Sequence, residues 1–225
     1  MEANIIYNID CLTGLRNLPD DSIDCCVTSP PYFNLRDYGV SGQIGLEDTP
    51  EQYIQKLVGV FHEVKRVLAP AGTLWVNIGD CYAGSGKGAA NYPDNAMKYK
   101  QGTNRGTVGR SAIVKKFDGY KSKDLIGIPW MLAFALRADG WFLRQDIIWA
   151  KPNPMPESMK DRCTKSHEYI FLLTKSPKYY FDCEAIHEKA VTSGTIPTNA
   201  PRYGGNKYTA PRKVLPDKKR QRIYR

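Results

Sequence analysis

No stretch of the 225 residues is apolar for long enough to cross a bilayer, and Met1-Glu2-Ala3-Asn4 shows no secretory-signal pattern. No membrane association is therefore expected, and a cytoplasmic location is. The six cysteines include no C-x-x-C pair, which fits reduced thiols better than a disulfide framework. Cys25 and Cys26 adjoin in an apolar run and are expected in the core of a strand. Cys163 with His167, and Cys183 with His187, have a zinc-like spacing. His167 and Glu168 open an expected strand, however, so no metal is expected. Acidic residues are scarce in two places. Residues 84–123 hold nine Lys/Arg against two Asp, and residues 189–225 hold ten against one. The remainder carries thirteen basic and twenty acidic residues, −7 within a chain of net charge +9. A net-acidic body bearing two basic, irregular segments is the footprint of a polyanion binder.

At this length one domain with a sizeable core is expected. Its focal stretch is Thr28-Ser29-Pro30-Pro31-Tyr32, which leaves a short apolar run, Ile23 to Val27, that reads as a buried strand. Two consecutive prolines fix φ, lack N–H donors and hold Ser29 extended. The outcome is a stiff strand exit bearing carbonyls, a hydroxyl and an aromatic ring. Ligands bind at the carboxyl ends of strands in open α/β sheets. A proline-terminated edge strand with a packed tyrosine is the plainer alternative.

Around that exit the pattern predicts a strand over 4–8, a helix over about 11–18 and a turn at 19–22. Asp10 is placed to cap that first helix. Thr49-Pro50-Glu51 starts a second helix, with Tyr53, Leu57, Val60, Phe61, Val64, Val67 and Leu68 on one apolar stripe. A strand over 72–78 follows, and strand–helix–strand connection implies a parallel pair. A helix to about Ala138, strands over 141–150 and 169–174, and a hairpin partner over 178–182 complete the body. Residues 83–123 read as a long flexible loop, whose Tyr92, Tyr99, Arg105 and Arg110 suit phosphates and unstacked bases. Residues 189–225, rich in Gly, Pro, Thr and basic side chains, read as an arm that orders on binding. The division expected is thus 1–188 and 189–225.

Four segments carry a family resemblance: residues 5–38, Gly72 to Asp80, Arg144 to Pro152 and Lys165 to Lys175. In this order they resemble the permuted, catalytic-motif-first DNA methyltransferases that modify exocyclic amino groups, N4 of cytosine or N6 of adenine. The resemblance implies an α/β fold, a mostly parallel Rossmann-like sheet with helices on both faces, here expected to be incomplete. It implies S-adenosyl-L-methionine as cofactor and double-stranded DNA as partner. An amine inside a duplex is reached only by flipping the base out. Its lone pair is delocalised into the ring, and acceptors for both N–H bonds free it. Ser29 Oγ and the Pro30 carbonyl, held by Pro30-Pro31 and flanked by Tyr32 as a stacking platform, are implied as that catalytic set.

The resemblance further places Phe33 and Trp149 around the base pocket, with strand-end packing as the alternative for Trp149. Asp10, Cys11 and Thr28 are implied near the cofactor, with the helix cap as the alternative for Asp10. Lys87, Arg105, Arg110, Lys115, Lys116, Arg212 and Lys213 are expected on DNA. Ser rather than Asp at position 29 favours cytosine over adenine. Tyr82-Ala83-Gly84-Ser85-Gly86 matches an aromatic-x-Gly-x-Gly cofactor motif, but a poor helix follows it, so it is read as loop. The Asp-Pro-Phe-x-Gly-Ser-Gly-Thr segment of such enzymes is not found, so an incomplete chain, a split enzyme completed by a second polypeptide, or a non-catalytic DNA-binding relative is expected. An RNA methyltransferase is a more distant reading.

Overall fold

The computed structural model describes residues 4–84, 117–157, 159–189 and 221–223. The chain separates into two units, Met1–Tyr180 and Phe181–Arg225. The first holds a four-stranded sheet built from β1 (Ile23–Thr28), β2 (Leu68–Ile78), β3 (Phe142–Ala150) and β4 (His167–Thr174), with helices α1 (Cys11–Arg16), α2 (Pro50–Val67) and α3 (Ile128–Ala138). In the second, β5 (His187–Lys189) pairs antiparallel with β6 (Gln221–Ile223).

The sheet runs β1-β2-β4-β3. β1 and β2 are parallel, as the crossover through α2 requires. β4 lies antiparallel to both β2 and β3, so β1, β2 and β3 share one direction and β4 opposes them. Cross-strand alternation puts Leu74, Val76, Ile78, Phe171 and Leu173 on one face, all at 0–1% exposure. α2 and α3 cover that face. Thr49 starts α2 as its spacing predicts, its side chain accepting from Gln52 N at 3.2 Å. The stripe Tyr53, Leu57, Phe61, Val64 and Val67 is buried, joined by Ile54. Trp130 of α3 meets Tyr169 and Phe171 edge-on at 5.5 and 5.2 Å. Full burial of each such side chain is worth about 1.5–3 kcal/mol.

The opposite face is more open among the described residues. Val27 is 77% exposed and Trp149 57%. β1 is an edge strand, which corrects the expected core position of its cysteines: Cys25 is exposed and Cys26 half-buried. Residues 4–8 form no strand, and Ile6 is 98% exposed, because no neighbouring strand among the described residues pairs with them. Residues 178–182 form no hairpin strand either. Ser176 and Lys178 close a turn instead, and Tyr180 N–H donates to Ala71 O at 3.0 Å. No helix among the described residues is long and apolar enough to cross a membrane.

The described residues on either side of 85–116 are held in place. Ala83 exchanges backbone bonds with Lys123 and Asp124 at 2.9 and 2.8 Å, and Phe117 packs in the core. Asp80, just past β2, holds α3 in place. Its carboxylate accepts N–H bonds from Cys81 at 2.9 Å, Gly127 at 3.0 Å and Ile128 at 3.0 Å. Gly127 itself has φ 86 and offers no side chain, so this cap comes from a residue remote in sequence. Asp80→Ala is expected to cost about 1–2 kcal/mol in urea denaturation, the scale of a lost helix cap, with Asp80→Asn recovering part of it. An unchanged midpoint for Asp80→Ala would show that the cap contributes nothing.

Candidate functional site

β1 delivers Ser29 to the carboxyl edge of the sheet, beside the end of β2 and the start of antiparallel β4. Ser29 is exposed and Pro30 buried. The Pro31 carbonyl turns inward to accept from Tyr53 OH at 2.8 Å, which fastens the diproline to α2. Tyr32 lies against the backbone of Gly79. A Cβ there would stand 2.7 Å from Tyr32 Cε2, so a side chain at 79 would displace the ring. The chain then doubles back: Leu35 N–H donates to Tyr32 O at 3.3 Å, with Asn34 at φ 52. Gln43 fastens the return, its Nε2 donating to Arg36 O at 2.9 Å and its Oε1 accepting from Tyr38 N at 2.7 Å. Ser29, Pro30, Pro31, Tyr32, Leu35, Arg36 and Tyr38 thereby enclose a cavity of about 270 Å³.

Beneath it lies a polar network. Tyr32 OH is 3.0 Å from Asn77 Oδ1 and 3.0 Å from Glu168 Oε2. Ser29 Oγ is 3.4 Å from Asn77 Oδ1 and 3.5 Å from Tyr32 OH. Asn77 Nδ2 donates to Tyr169 O at 3.2 Å, which fixes the amide with its oxygen toward both hydroxyls. Lys151 pairs with Glu168 on the side away from Tyr32. Two protons thus face two acceptors. The phenolic proton goes to the carboxylate, the stronger acceptor, and the Ser29 proton to Asn77. Ser29 Oγ is left to accept from whatever occupies the cavity.

Burial pushes the Tyr32 phenol up to about 12, opposed by the Ser29 hydroxyl and assisted by the Glu168 carboxylate, so it stays a donor at neutral pH. Burial alone would raise Glu168, but hydrogen bonds from Lys151 and Tyr32 outweigh it and hold the carboxyl below its ordinary 4.5.

Ser29, Pro30, Pro31 and Tyr32 therefore meet at one cavity. Phe33 does not join them: at 3% exposure it packs on Tyr53 and Phe117 at 5.3 and 5.4 Å. The side chain after Tyr32 points into the core, so Phe33 supports the tip from below and does not line this cavity. Trp149 is paired across the sheet with Glu168, on the same face, and is too exposed to be a packing residue. Asp10 caps α1, its Oδ1 accepting from Thr13 N at 3.0 Å and Thr13 Oγ1 at 3.3 Å. Neither Asp10, Cys11 nor half-buried Thr28 lines the Ser29 cavity. Lys87, Arg105, Arg110, Lys115, Lys116, Arg212 and Lys213, with Tyr92 and Tyr99, lie outside the described residues.

Asn77, Gly79, Lys151 and Glu168 carry no role in the sequence reading. The available signal was a polar residue inside an apolar strand, Leu74-Trp75-Val76-Asn77-Ile78, at the end where ligands bind.

A carboxyl depressed by folding stabilises the fold above its unfolded value and loses that contribution as pH falls through the folded one. Wild type is thus expected to lose stability on acidification below about pH 4.5 in part through Glu168, and Glu168→Gln to lack that part. The same substitution should lower the Tyr32 ionisation from about 12, read as the ¹³Cζ tyrosine signal that Tyr32→Phe removes. An unmoved Tyr32 titration would contradict the network.

The DNA methylase family model matches residues 23–214. The type II methyltransferase M.Cfr9I of Citrobacter freundii is 53% identical over 189 residues, covering 84% of this chain and 60% of that protein. M.XycI of Xanthomonas campestris pv. cyanopsidis is 48% identical over 198 residues, covering 86% and 62%. The chain thus spans about three-fifths of the length of these relatives. Among solved structures, PvuII DNA methyltransferase (cytosine-N4-specific) superposes with a TM-score of 0.52 at 17% identity, over 79% of this chain and 51% of that one. This last likeness is one of fold. The extent of the family match and the identity to its members establish that the chain belongs to the N6/N4 DNA methylase family.

Proposed function

We propose that this chain forms the base-side half of an S-adenosyl-L-methionine-dependent DNA methyltransferase that modifies the exocyclic amine of a flipped base, N4 of cytosine in preference to N6 of adenine. The observation that carries the reading is the Ser29 hydroxyl, exposed to a cavity while its proton is drawn toward Asn77. An amine entering that cavity donates one N–H to Ser29 Oγ and the other to the Pro30 carbonyl. Both bonds strengthen as nitrogen becomes tetrahedral, so they favour the transition state over the ground state. Tyr32, locked by Asn77, Glu168 and Gly79, gives the base a fixed ring to stack on, worth about 1–3 kcal/mol. Trp149 stands on the same sheet face as Glu168 and is proposed as a second aromatic near the base. Because Ser29 is exposed, the proton shed by the methylated amine has a path to water.

The cofactor supplies an electrophilic methyl group when bound. Asp10 uses Oδ1 for its helix cap, so Oδ2 is the atom it could offer to a ribose hydroxyl; Cys11 and Thr28, like Asp10, lie away from the Ser29 cavity. Among the described residues, Asp10 thus fits one edge of the cofactor rather than a whole site. A second polypeptide or a further segment supplies the remainder in this reading. β1, which has one neighbouring strand among the described residues, and its exposed Val27 support a partner there. The basic segments, including Lys87, Arg105, Arg110, Lys115, Lys116, Arg212 and Lys213, are proposed to contact phosphates, which makes binding weaken steeply with salt.

Tritiated methyl transfer to duplex DNA by the chain, with a polypeptide supplying the glycine-rich cofactor segment, tests the proposal. The label is expected in N4-methylcytosine, and Ser29→Ala should reduce the rate by about 10²–10³, the scale of a lost preorganised hydrogen bond. Label in N6-methyladenine would correct the base. A Ser29→Ala variant with full activity would refute the role of the hydroxyl.

A further inference from the structure

A second cavity, of about 390 Å³, lies at the same end of the sheet as Ser29. It is lined by Tyr82 just past β2, Lys123 ahead of α3, and Met159 and Arg162 ahead of β4, among others. A Cβ on Gly84 would stand 2.9 Å from Ser122 Oγ, so the loops after β2 and before α3 meet closely there. The walls suit a flat ring. The guanidinium carbon of Arg162 stands over the Tyr82 ring, 4.1 Å from its centroid. Bonds from Arg162 Nη1 to Glu157 and to Cys163 O hold that head, so little side-chain freedom is left to lose on binding. Met159, 52% exposed, adds a polarisable thioether, a favourable neighbour for an aromatic ring.

Lys123 brings a charge to these walls at a cost. Its φ is 77, in the left-handed region. The positions with positive φ on either side of it are glycines, Gly119 at 84 and Gly127 at 86, and glycine would avoid the strain at 123 as well. The ion pair of Lys123 with Asp161 at 2.7 Å does not account for the lysine, because both side chains are largely exposed and such pairs add little. A lysine beside an aromatic cavity serves an anion that the ring carries with it. We propose that this cavity holds a second nucleotide of the DNA strand, its base against Arg162 and Met159 and its phosphate at Lys123. This rests on the reading of the chain as DNA-modifying, though not on which base is modified. Every base offers a π-face to such a wall, so the contact is tolerant of sequence. Drawing the target base out also removes one stacking face from its neighbour, which then costs less to unstack.

The test follows the methyl signals of the five methionines in the chain itself. Met131, whose sulfur lies 3.7 Å from Tyr120 OH, reports the fold. A short single-stranded thymidine oligonucleotide is titrated in, against a strand of equal length that lacks bases, with duplex DNA as a third arm. The thymidine strand should move the Met159 signal and bind about tenfold tighter than the abasic one, within the range of one stacked base. Arg162→Gln, with its Met131 signal in place, should bring the two strands within about twofold of each other. Lys123→Gly should weaken both strands alike and reduce the log–log salt slope by about 0.7, one phosphate contact, without lowering the urea midpoint. An unmoved Met159 signal, equal affinities in wild type, or a preference that survives in Arg162→Gln would overturn the inference and leave the DNA reading standing. Unchanged affinity in Lys123→Gly would overturn the phosphate contact. Binding of duplex DNA but of neither single strand would overturn the inference as well. If duplex DNA does not bind either, the DNA reading fails, and the inference with it.

Discussion

One phenolic hydroxyl ties the site together. Tyr32 OH lies 3.0 Å from an amide oxygen of β2 and 3.0 Å from a carboxylate of β4, and it belongs to the loop that leaves β1. Three strands are thus fastened at one point, where the carboxyl ends of β1 and β2 meet the amino end of β4. Each partner is itself held, Asn77 by the Tyr169 carbonyl and Glu168 by Lys151. The arrangement orients protons as well as rings. Two hydroxyls and two acceptors leave the Ser29 lone pairs as the uncommitted ones, which is what an amine needs. Half-satisfied polar groups at this depth would cost more than they return, and here each donor has an acceptor.

That junction follows from the placing of β4. A parallel neighbour to β2 would have brought its carboxyl end to this edge. The antiparallel strand brings its amino end, and with it Glu168, while Lys151 follows the end of β3 beside it. Lys151 N–H donates to Ser166 O at 2.8 Å, which closes the register at the same edge. The mixed direction of the sheet is therefore part of the site.

Much of this was legible in advance. The diproline exit, the capped α2 with its stripe and the crossover to β2 are local patterns, and local patterns survive folding. The 3.6-residue spacing of Tyr53, Leu57, Phe61 and Val64 could only serve one face, and it does. What was not legible is what depends on neighbours remote in sequence. Residues 4–8 alternate like a strand but find no partner among the described residues, and Cys25 looks like core in a strand that lies at an edge. The resemblance places Phe33 at the base pocket, but its ring packs on Tyr53 and Phe117 in the core, away from the Ser29 cavity. Glu168 and Lys151 lie more than a hundred residues beyond Tyr32, and nothing in their spacing joins them to it.

In the proposed reaction Ser29 and Pro30 present oxygen atoms to the amine because Asn77 and Glu168 hold the competing protons. The most direct measurement is a crystal structure of the assembled enzyme on DNA with its target base flipped. The account predicts the exocyclic nitrogen about 3 Å from both Ser29 Oγ and the Pro30 carbonyl, with Tyr32 OH still on Glu168. A base seated elsewhere, or a Tyr32 hydroxyl turned from Glu168 to bond the amine itself, would contradict it.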